Sequence, residues 1–573
     1  MVVLGNPPYA NFGRMNRGGW ILGLLKDYKE GLHEKKLNLD DDFIKFIRFA
    51  QWRIDKTGYG ILGFITNNTY LDGITHRRMR ESLMQSFSNI YVLDLHGSVK
   101  KKDKAPDGSE DKNVFDIQLG VGVSLLVKRS GSAAAERVNH SQLWGNRSKK
   151  YETLSATDVS STNWSSLTPT PKYFFFAPKE FAMRQEYETF PSIAGDLFLN
   201  YNAGIQTKRD NLVYHFTRNE IEDVVHQIQS LDPNEIAQRF QLPPDGRDWR
   251  VAWAKSDANR GGTFTRVLYH PFDFRWTYYT GRTKGFMAYP RYPLMASALQ
   301  PNLLLLCVRN ARRGNVDSFF VANTIVDKDA VSPFDNVTFF PLYARLPENP
   351  GGKQGQLSLH GQRDGTAPTK AQLNLKRDVI EAWGKRMGLR FGEKHTDIHE
   401  GVFDAESLTS YVYAILWSTS YRVRYTELLR IEFPRVPLTA DKKLFAFLVE
   451  KGEELISLHL MESPKLANFI TRYEQPGDHT VEKVRYIEPN PKAGIKTGRV
   501  YINGAQYFDG VPKEVWEFQI GGYQVCEKWL KDRKGRRLSS DDIDHYQKIA
   551  VALAETIRLM REIDEIIPAW PLP

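Results

Sequence analysis

The segment Asn6-Pro7-Pro8-Tyr9 contains residue types suited to chemistry on a planar nitrogen. Two consecutive prolines fix two φ angles and keep the residues before them out of the helical region, so the segment is a stiff loop. The Asn6 side-chain oxygen and a main-chain carbonyl could each accept an N–H bond from an exocyclic amine such as that of adenine. The lone pair of that nitrogen would then point at a methyl donor, and Tyr9 could stack on a base withdrawn from a duplex. Alternatively, the segment is a proline-stiffened turn in which Asn6 caps and Tyr9 packs.

The residues around this segment predict alternating strands and helices. Met1–Gly5 has two valines and a leucine before a glycine and predicts the end of a buried strand, which places the loop at a strand's carboxyl end. The elements predicted after it are a helix over Asp40–Ile54, a strand over Gly60–Thr66, a helix over Thr75–Phe87, a strand over Asn89–Leu95 and, beyond a charged loop at Val99–Asn113, a long strand or hairpin over Val114–Arg129. Strands that alternate with helices predict an α/β fold, one half of a doubly wound sheet.

This order of elements resembles the second half of gamma-class amino-methyltransferases that act on adenine N6 in DNA. The strings that carry the resemblance are NPPY, GILGFITNNTYLDG, NIYVLDLHG and NVFDIQLGVGVSLLVK. It implies the C-terminal half of a Rossmann-like methyltransferase sheet, S-adenosyl-L-methionine as cofactor, and Asn6, Pro7, Pro8 and Tyr9 as the residues that hold and stack a flipped adenine. It also implies that Phe115 stacks on the other face of the base; alternatively, Phe115 is a plain core residue.

Composition excludes several other classes of protein. A chain of 573 residues with 41% hydrophobic and 12% aromatic residues predicts two to four globular domains. Its two cysteines, Cys307 and Cys526, cannot form a zinc site or a disulfide framework, and they favour a reducing, cytoplasmic location. No apolar run approaches the length of a membrane span, so we expect no membrane partner. We also expect no metal site, because the cysteines are too few. The net charge of +10 is compatible with binding a polyanion.

Composition also changes along the chain and predicts its domain boundaries. The predicted parts are a partial catalytic domain over residues 1–130, a connector over 131–171, the first part of a mixed α+β target-recognition domain over 172–345, a flexible linker over 346–374, and a remainder with helices and small sheets over 375–573. Within 375–573 we expect helices over Arg377–Leu389 and Ala405–Ile431, small strands over Val484–Phe508, and a last helix capped by Ser539.

Aromatic residues alternate with arginine and lysine in the region 172–345. Arginine can fork onto guanine or phosphate, and aromatic rings can pack on sugars or enter base steps, so this pattern suits contacts with DNA. The candidate DNA-binding residues are Lys208, Arg209, Arg275, Arg282, Lys284, Arg309, Arg312 and Arg313. Alternatively, any one of these residues belongs to a solvated basic surface over an aromatic core.

Several strings in the C-terminal region resemble a narrower group, the single-polypeptide Type I (Type ISP) restriction–modification enzymes. These strings are YHPFDFRWTYY, FVANTIVDKD, SYVYAILWSTSYRVRYTELLRIEFPRVPL and VWEFQIGGYQVCEKWLKDRKGR. The resemblance implies that the C-terminal region recognises a target in double-stranded DNA. It also implies partner segments with nuclease and translocating ATPase activity upstream, although this sequence has no Walker GxxxxGK[ST] pattern.

The glycine-rich loop that binds the methyl donor in this family has no convincing counterpart in the sequence. Gly120-Val-Gly122 lies inside a predicted strand and lacks the acidic and aromatic residues that precede such a loop. We therefore expect an N-terminally truncated chain that binds DNA but needs a methyl-donor segment from the same or a neighbouring polypeptide. Two alternatives stay open: a non-catalytic specificity module that works with a separate methyl-donor domain, and a protein-glutamine or ribosomal-RNA methyltransferase.

Overall fold

The chain divides into two units, Met1–Glu180 and Phe181–Pro573, which we call unit 1 and unit 2. The computed structural model describes residues 1–8, 15–32, 38–99, 105–179, 182–311, 316–345, 355–356, 371–392 and 401–573. Both units mix helices with strands, and several separate sheets form. Within these ranges, no helix combines the length and the apolar character that crossing a lipid bilayer requires.

Unit 1 is built around a six-stranded mixed sheet in the order β1-β2-β4-β3-β5-β6. Its strands are β1 (Val2–Gly5), β2 (Gly60–Asn67), β3 (Asn89–Asp94), β4 (Val121–Lys128), β5 (Val138–Gln142) and β6 (Ser165–Leu167). Its helices are α1 (Gly19–Leu24), α2 (Lys26–Lys29), α3 (Asp42–Thr57), α4 (Thr69–Asp72), α5 (Arg77–Ser86) and α6 (Arg147–Ala156), with a 3₁₀ turn at Ile74–His76. Strands β1 and β2 are parallel, as are β3 and β5, whereas β4 runs antiparallel to β2 and β3.

Sequence expectations for unit 1 differ from the structure at Met1–Gly5 and at residues 131–171, and also at Val114–Arg129, where the strand begins only at Val121. The strand predicted over Met1–Gly5 forms, but it lies at the edge of the sheet, with Val2 61% and Leu4 70% exposed, because it pairs on one side only. The predicted connector over residues 131–171 instead supplies α6 and the strands β5 and β6. Serine and threonine runs indicated a linker there, but β5 and even the serine-containing β6 join the sheet through main-chain hydrogen bonds, which composition does not report.

Arg80 on α5 ties three segments of unit 1 together from inside the protein. Its side chain is fully buried, and its guanidinium donates to the main-chain carbonyls of Tyr70, Gly73, Tyr173 and Phe174 at 2.5–3.1 Å. A buried main-chain carbonyl without a partner costs about 1–3 kcal/mol, so one side chain that satisfies four of them stabilises the segment after β2 and the segment near residue 173 together.

Unit 2 contains the remaining sheets, which lie among helices. Its strands are β7 (Asn200–Ala203), β8 (Thr263–His270), β9 (Asp273–Tyr279), β10 (Leu304–Val308), β11 (Phe319–Ala322), β12 (Ile325–Val326), β13 (Val337–Pro341), β14 (Tyr343–Ala344), β15 (Gly355–Gln356), β16 (Gln372–Leu373), β17 (Arg390–Phe391), β18 (Val402–Phe403), β19 (Arg485–Ile487), β20 (Arg499–Tyr501), β21 (Tyr507–Asp509), β22 (Gln519–Ile520) and β23 (Tyr523–Gln524). The largest sheet has the order β11-β10-β13-β7-β15, and β12, β8 and β9 form a second one.

Helices fill the rest of unit 2. They are α7 (Arg184–Glu188), α8 (Asp210–Val213), α9 (Arg218–Ser230), α10 (Pro233–Arg239), α11 (Val251–Ala258), α12 (Arg377–Met387), α13 (Ala405–Trp417), α14 (Thr419–Arg424), α15 (Thr426–Leu429), α16 (Lys442–His459), α17 (Lys513–Glu517), α18 (Val525–Lys531) and α19 (Ser540–Ile566). The α13 helix is buried on nearly every side and packs on α16. The predicted last helix forms as α19, and Ser539 caps it through a reciprocal capping box with Asp542.

The predicted linker over residues 346–374 lies mostly outside the described residues. Its final residues are described, and they are held in place: β16 pairs with β14, and the buried Asn374 donates to the carbonyls of Asn200 and Pro341 at 2.8 Å. The end of that stretch is therefore ordered, because its main-chain and amide groups complete a sheet edge.

The buried carboxyl group of Asp327 follows strand β12 and has an unusual environment. It accepts hydrogen bonds at 2.8 Å from the Tyr214 hydroxyl and from the main-chain N–H of Asp329. Burial raises the pKa of Asp327 from 3.8 to about 7, and the nearby carboxylates of Asp210 and Asp329 act in the same direction. The folded protein therefore holds a proton on Asp327 at a pH at which the unfolded chain has released it.

We predict that this carboxyl group makes the stability of unit 2 fall as pH rises. The pKa of Asp327 is higher in the folded than in the unfolded chain, so its contribution to the free energy of unfolding is complete below about pH 4. This contribution is lost as pH rises through about 7, at up to about 1.4 kcal/mol per pH unit. Asp327→Asn should remove this dependence. In denaturant titrations, the free energy of unfolding of the parent should therefore fall relative to that of Asp327→Asn as pH rises from about 5 to about 8. Asp223→Asn, at an exposed position on α9, is the control, and equal pH profiles for the parent and Asp327→Asn would refute the prediction.

Candidate functional site

The Asn6-Pro7-Pro8 segment leaves the carboxyl end of β1, as the sequence predicts. Gly5 is paired with Phe64 of the parallel strand β2, so Asn6 lies beside the last residues of that strand. Pro7 is buried, and Asn6 and Pro8 are exposed. This position is where open sheets with parallel strands present ligand-binding groups. Tyr9, the fourth predicted residue, lies outside the described residues.

Asn67 is the last residue of the neighbouring strand β2 and Asn68 follows it, and both side chains hold loops. The Asn67 Oδ1 atom accepts the main-chain N–H of Thr69 at 2.9 Å, at the start of α4. The Asn68 Nδ2 atom donates to Asp94 Oδ1 at 2.9 Å, and the same carboxylate oxygen accepts the main-chain N–H of His96 at 2.9 Å. These two amides therefore position the ends of β2 and β3.

A cavity of about 340 Å³ opens at these strand ends. Asp94, His96 and Gln142 contribute to its lining, and His96 stacks on Trp144 with ring centroids 3.4 Å apart. His140 also lines the cavity, and burial lowers the pKa of its imidazole, so this ring is neutral at neutral pH. The lining is rich in groups that donate and accept hydrogen bonds, which suits a polar ligand.

Phe115 lies in the loop that connects the end of β3 to β4, not in the strand predicted over Val114–Arg129, which begins only at Val121. The ring is half-buried and packs against Leu95, Val114 and Val121. The main-chain N–H of Phe115 donates to Asn113 Oδ1 at 2.9 Å. Phe115 therefore packs against a small apolar cluster and stays partly accessible.

The structure divides the predicted DNA-binding arginines of unit 2 into structural and accessible groups. Arg275 is buried and forms two hydrogen bonds with Asp273, at 2.6 and 3.0 Å, over the face of Phe216. Arg282 donates to Asp257 Oδ1 at 2.7 Å and to the carbonyls of Arg260 and Gly261. Several donors of each guanidinium bind acceptors inside the protein, which favours a structural role over the predicted contact with DNA.

Arg209 is also held by the protein. It donates to the carbonyls of Lys208, Pro243 and Pro244 and lies 4.7 Å from the centroid of the Trp249 ring. Arg309 is exposed directly after β10. Arg312 and Arg313 lie outside the described residues.

Three exposed cations form what we call the basic surface: Lys208, Arg250 and Lys284. The Arg250 guanidinium lies 4.8 Å and the Lys284 ammonium 5.3 Å from the centroid of the half-buried Trp253 ring. The loop of Lys208 is joined to the loop of Lys284 by main-chain hydrogen bonds, such as that from the Ala288 N–H to the Thr207 carbonyl at 3.2 Å. This arrangement holds cations beside an aromatic ring, as contact with a phosphate backbone requires.

Arg250 is absent from the set predicted from the sequence. The string RDWRVAW, residues 247–253, interleaves basic and aromatic residues as the other candidate segments do. The same pattern could therefore have identified Arg250 from the sequence. Only the fold shows that this string meets the loops of Lys208 and Lys284, because the three segments are far apart in the chain.

The possible metal ligands His270, Asp273 and Asp532 lie close together in unit 2, with ligand atoms within 4.8 Å of one another. Asp273 already pairs with Arg275 and Arg533, and His270 Nδ1 lies 2.9 Å from Asp532 Oδ2. Two guanidiniums neutralise this cluster, so its donor set is that of an ion-pair network and not of a cation site.

Comparisons with known proteins match two parts of the chain. Residues 1–100 match the family model of the Eco57I restriction-modification methylase. The first part of the chain is therefore similar in sequence to a restriction-modification methylase. Residues 196–562, more than half of the chain, match the Type ISP C-terminal specificity domain. The chain belongs to this Type ISP family.

Three solved structures have a similar fold. The ATP-dependent Type ISP restriction-modification enzyme LlaBIII bound to DNA aligns with 100% of this chain and 37% of its own, with a TM-score of 0.72 and 20% identity. The DrdV–DNA complex aligns with 98% of this chain and 56% of its own, with a TM-score of 0.73 and 20% identity. A nuclease-deletion mutant of LlaGI with a DNA substrate mimic aligns with 98% of this chain and 44% of its own, with a TM-score of 0.67 and 18% identity. The chain thus spans roughly one third to one half of the length of these proteins. Comparison with curated protein sequences gives no significant match.

We predict that Arg275 supports the fold and not DNA binding. Arg275→Met should lower the free energy of unfolding by roughly 3 kcal/mol, because it breaks a buried ion pair beside Asp273. Lys284→Met, at an exposed cation, should leave stability within about 0.5 kcal/mol. Denaturant titration of both variants checks this, and an unchanged stability of Arg275→Met together with weaker DNA binding would contradict it.

Proposed function

We propose that this chain takes part in adenine-N6 methylation of double-stranded DNA, with unit 1 holding a flipped adenine and unit 2 recognising the target. The observation that carries the proposal is the position of Asn6-Pro7-Pro8 at the carboxyl end of β1, beside β2, in the region that matches a DNA methylase. The match of unit 2 to a specificity domain and the basic surface support the second role.

In this proposal, Asn6 and the following prolines prepare the amine of adenine for reaction. The Asn6 side-chain oxygen and the Pro7 carbonyl each accept a hydrogen bond from one N–H group of the amine. These two bonds favour a pyramidal nitrogen with an available lone pair. Tyr9 and Phe115 stack on the base, which stabilises it outside the duplex. S-adenosyl-L-methionine, when bound, supplies the methyl group.

The described residues fit the adenine side of such a site better than the donor side. Within the ranges that the structure describes in unit 1, we find no glycine-rich loop at a strand end that could hold the adenosyl and methionine parts of the cofactor. The edge strand β1 is parallel to β2 and exposes Val2 and Leu4, which is unusual because parallel strands are normally covered on both sides. We therefore propose that β1-β2-β4-β3 is half of a Rossmann-like methyltransferase sheet and that a methyl-donor segment adds its strands beside β1.

We predict that Asn6 is required for methyl transfer. The chain, alone and together with a methyl-donor segment encoded upstream or taken from a Type ISP relative, is expressed in a bacterial host that lacks adenine methylation. Long-read sequencing should then detect N6-methyladenine at one recurring sequence when the donor segment is present. Asn6→Ala should lower methylation at least about 100-fold, because it removes a hydrogen bond formed in the transition state.

The control for this experiment is Asn89→Ala, which changes an asparagine at the amino end of β3, away from the end of the sheet that carries Asn6. Duplex affinity should be equal in the parent and both variants. Methylation that persists in Asn6→Ala, or that appears on cytosine only, would rule out the proposed role of this residue.

We predict that the basic surface binds the phosphates of the duplex. Replacing Lys208, Arg250 or Lys284 by alanine should weaken duplex binding at 100 mM salt and reduce the slope of log K against log salt by about 1 for each cation that neutralises a phosphate. Fluorescence anisotropy with the whole chain and a pool of random duplexes measures both quantities. Lys443→Ala, an exposed cation on α16, is the matched control. Equal slopes in all four variants would exclude the surface as the DNA-binding region.

A further inference from the structure

We propose that helix α6 is a clamp that positions Phe115 for the flipped base, and that Lys150 is its central positioning residue. The inference rests on the proposed function, since Phe115 acts on a base only if unit 1 receives one. The helix lies in residues 131–171, where the sequence predicts a connector, so its role follows from the fold alone.

Lys150 forms a buried ion pair at the base of the Phe115 loop. Its Nζ atom lies 2.7 Å from Asp111 Oδ1, and both side chains are 0% exposed. Asp111 Oδ1 also accepts the main-chain N–H of Gly145 at 2.8 Å, just before α6 begins. The Nζ atom donates further to the carbonyl of Leu95, next to the end of β3, at 2.7 Å. One ammonium thus joins three segments: the end of β3, the start of the Phe115 loop and α6.

Side chains of α6 also bind consecutive residues of the Phe115 loop. Three consecutive main-chain carbonyls accept bonds from side chains of the helix: Lys112 from Lys150 at 2.7 Å, Asn113 from Arg147 at 3.0 Å, and Val114 from Tyr151 at 2.6 Å. These carbonyls lie directly before Phe115 and outside any sheet, so the helix supplies the donors that a neighbouring strand would otherwise supply.

The other side of the loop is fixed by Asn113. Its Nδ2 atom donates to the carbonyls of Gly97 and Leu119 at 3.1 and 2.6 Å, and its Oδ1 atom accepts the N–H of Phe115. Gly97 has a φ of +80°, and a Cβ there would collide with the Asn113 main chain, so the loop after β3 packs closely against the Phe115 loop. The loop is therefore held by hydrogen bonds on both sides of Phe115.

The rigidity of the Phe115 loop suits a functional role. Lys150 satisfies the carbonyls of Leu95 and Lys112, but replacing a buried ion pair by apolar residues of the same size is often neutral for stability. A stacking residue, by contrast, must be held in position before the base arrives, and a misplacement of about 1 Å can lower a rate by about 100-fold. Buried charge in a loop next to Phe115 fits positioning better than it fits stability.

Two sets of substitutions test the clamp. Lys150→Met with Asp111→Asn removes the buried pair without leaving an unpaired charge, and the asparagine can still accept the Gly145 N–H. Arg147→Ala with Tyr151→Phe removes two donors from the surface of α6 and leaves the buried pair intact, so it keeps the test valid if the first variant folds poorly. Glu152→Ala, an exposed residue on the same helix, is the control.

The first measurement is hydrogen exchange of the whole chain, which does not depend on activity. Amides of residues 113–120 should exchange at least about tenfold faster in both double variants than in the parent and Glu152→Ala, with unchanged exchange in α3 and β2. Unchanged protection of residues 113–120 would overturn the clamp whatever the chain catalyses.

The second measurement uses the methylated sequence found in the genome experiment, with the chain and its methyl-donor segment. The double variants should lower kcat about 10- to 100-fold with KM for DNA within about twofold, and should reduce the fluorescence increase of 2-aminopurine placed at the target adenine. A merely structural role would lower the active fraction and leave the fluorescence increase per active molecule intact, and that result would overturn the inference. Failure of the parent itself to transfer methyl would instead overturn the proposed function, and this inference with it.

Discussion

Buried cations that donate to main-chain carbonyls hold the loops at the carboxyl ends of the strands in unit 1. Strand ladders satisfy the main chain only up to the last paired residue, and the loops beyond need other donors. Arg80 supplies them to the segment after β2, and Lys150 supplies them after β3 and before Phe115. The positions of the loops beyond β2 and β3 depend on these two side chains, because the loops have little regular structure of their own.

Unit 2 uses its arginines in two different ways. Arg275 and Arg533 both pair with the buried carboxylate of Asp273, and the pKa of that carboxyl group is held well below its usual range by these charges despite burial. Lys208 and Lys284 instead lie on the surface at positive φ, in loops whose main chains bond to each other. Charge alone does not separate these classes, because arginine and lysine have the same sign whether their donors are used internally or face solvent.

Local patterns in the sequence were sufficient for the main elements of unit 1 and for the loop at Asn6. Helical periodicity predicted α3 and α5 within a few residues, and β-branched runs predicted β2 and β3. Of the long strand or hairpin predicted over Val114–Arg129, only a strand from Val121 forms, because the residues before it bond to α6 and to Gly97 and not to a strand. Periodicity reports which face of a segment is apolar, but it does not report which partner its main chain finds.

The sequence by itself determined the family resemblance, the stiff Asn6-Pro7-Pro8 loop and its place at a strand end, because these depend on φ restriction and on residues adjacent in the chain. Only the tertiary structure decided that β1 is an exposed edge, that α6 holds the Phe115 loop, and that Arg275 is buried while Arg250 joins the basic surface. Each of these depends on contacts between residues far apart in the sequence. Burial and hydrogen-bond partners arise from the whole packed chain, so residue type and spacing alone do not specify them.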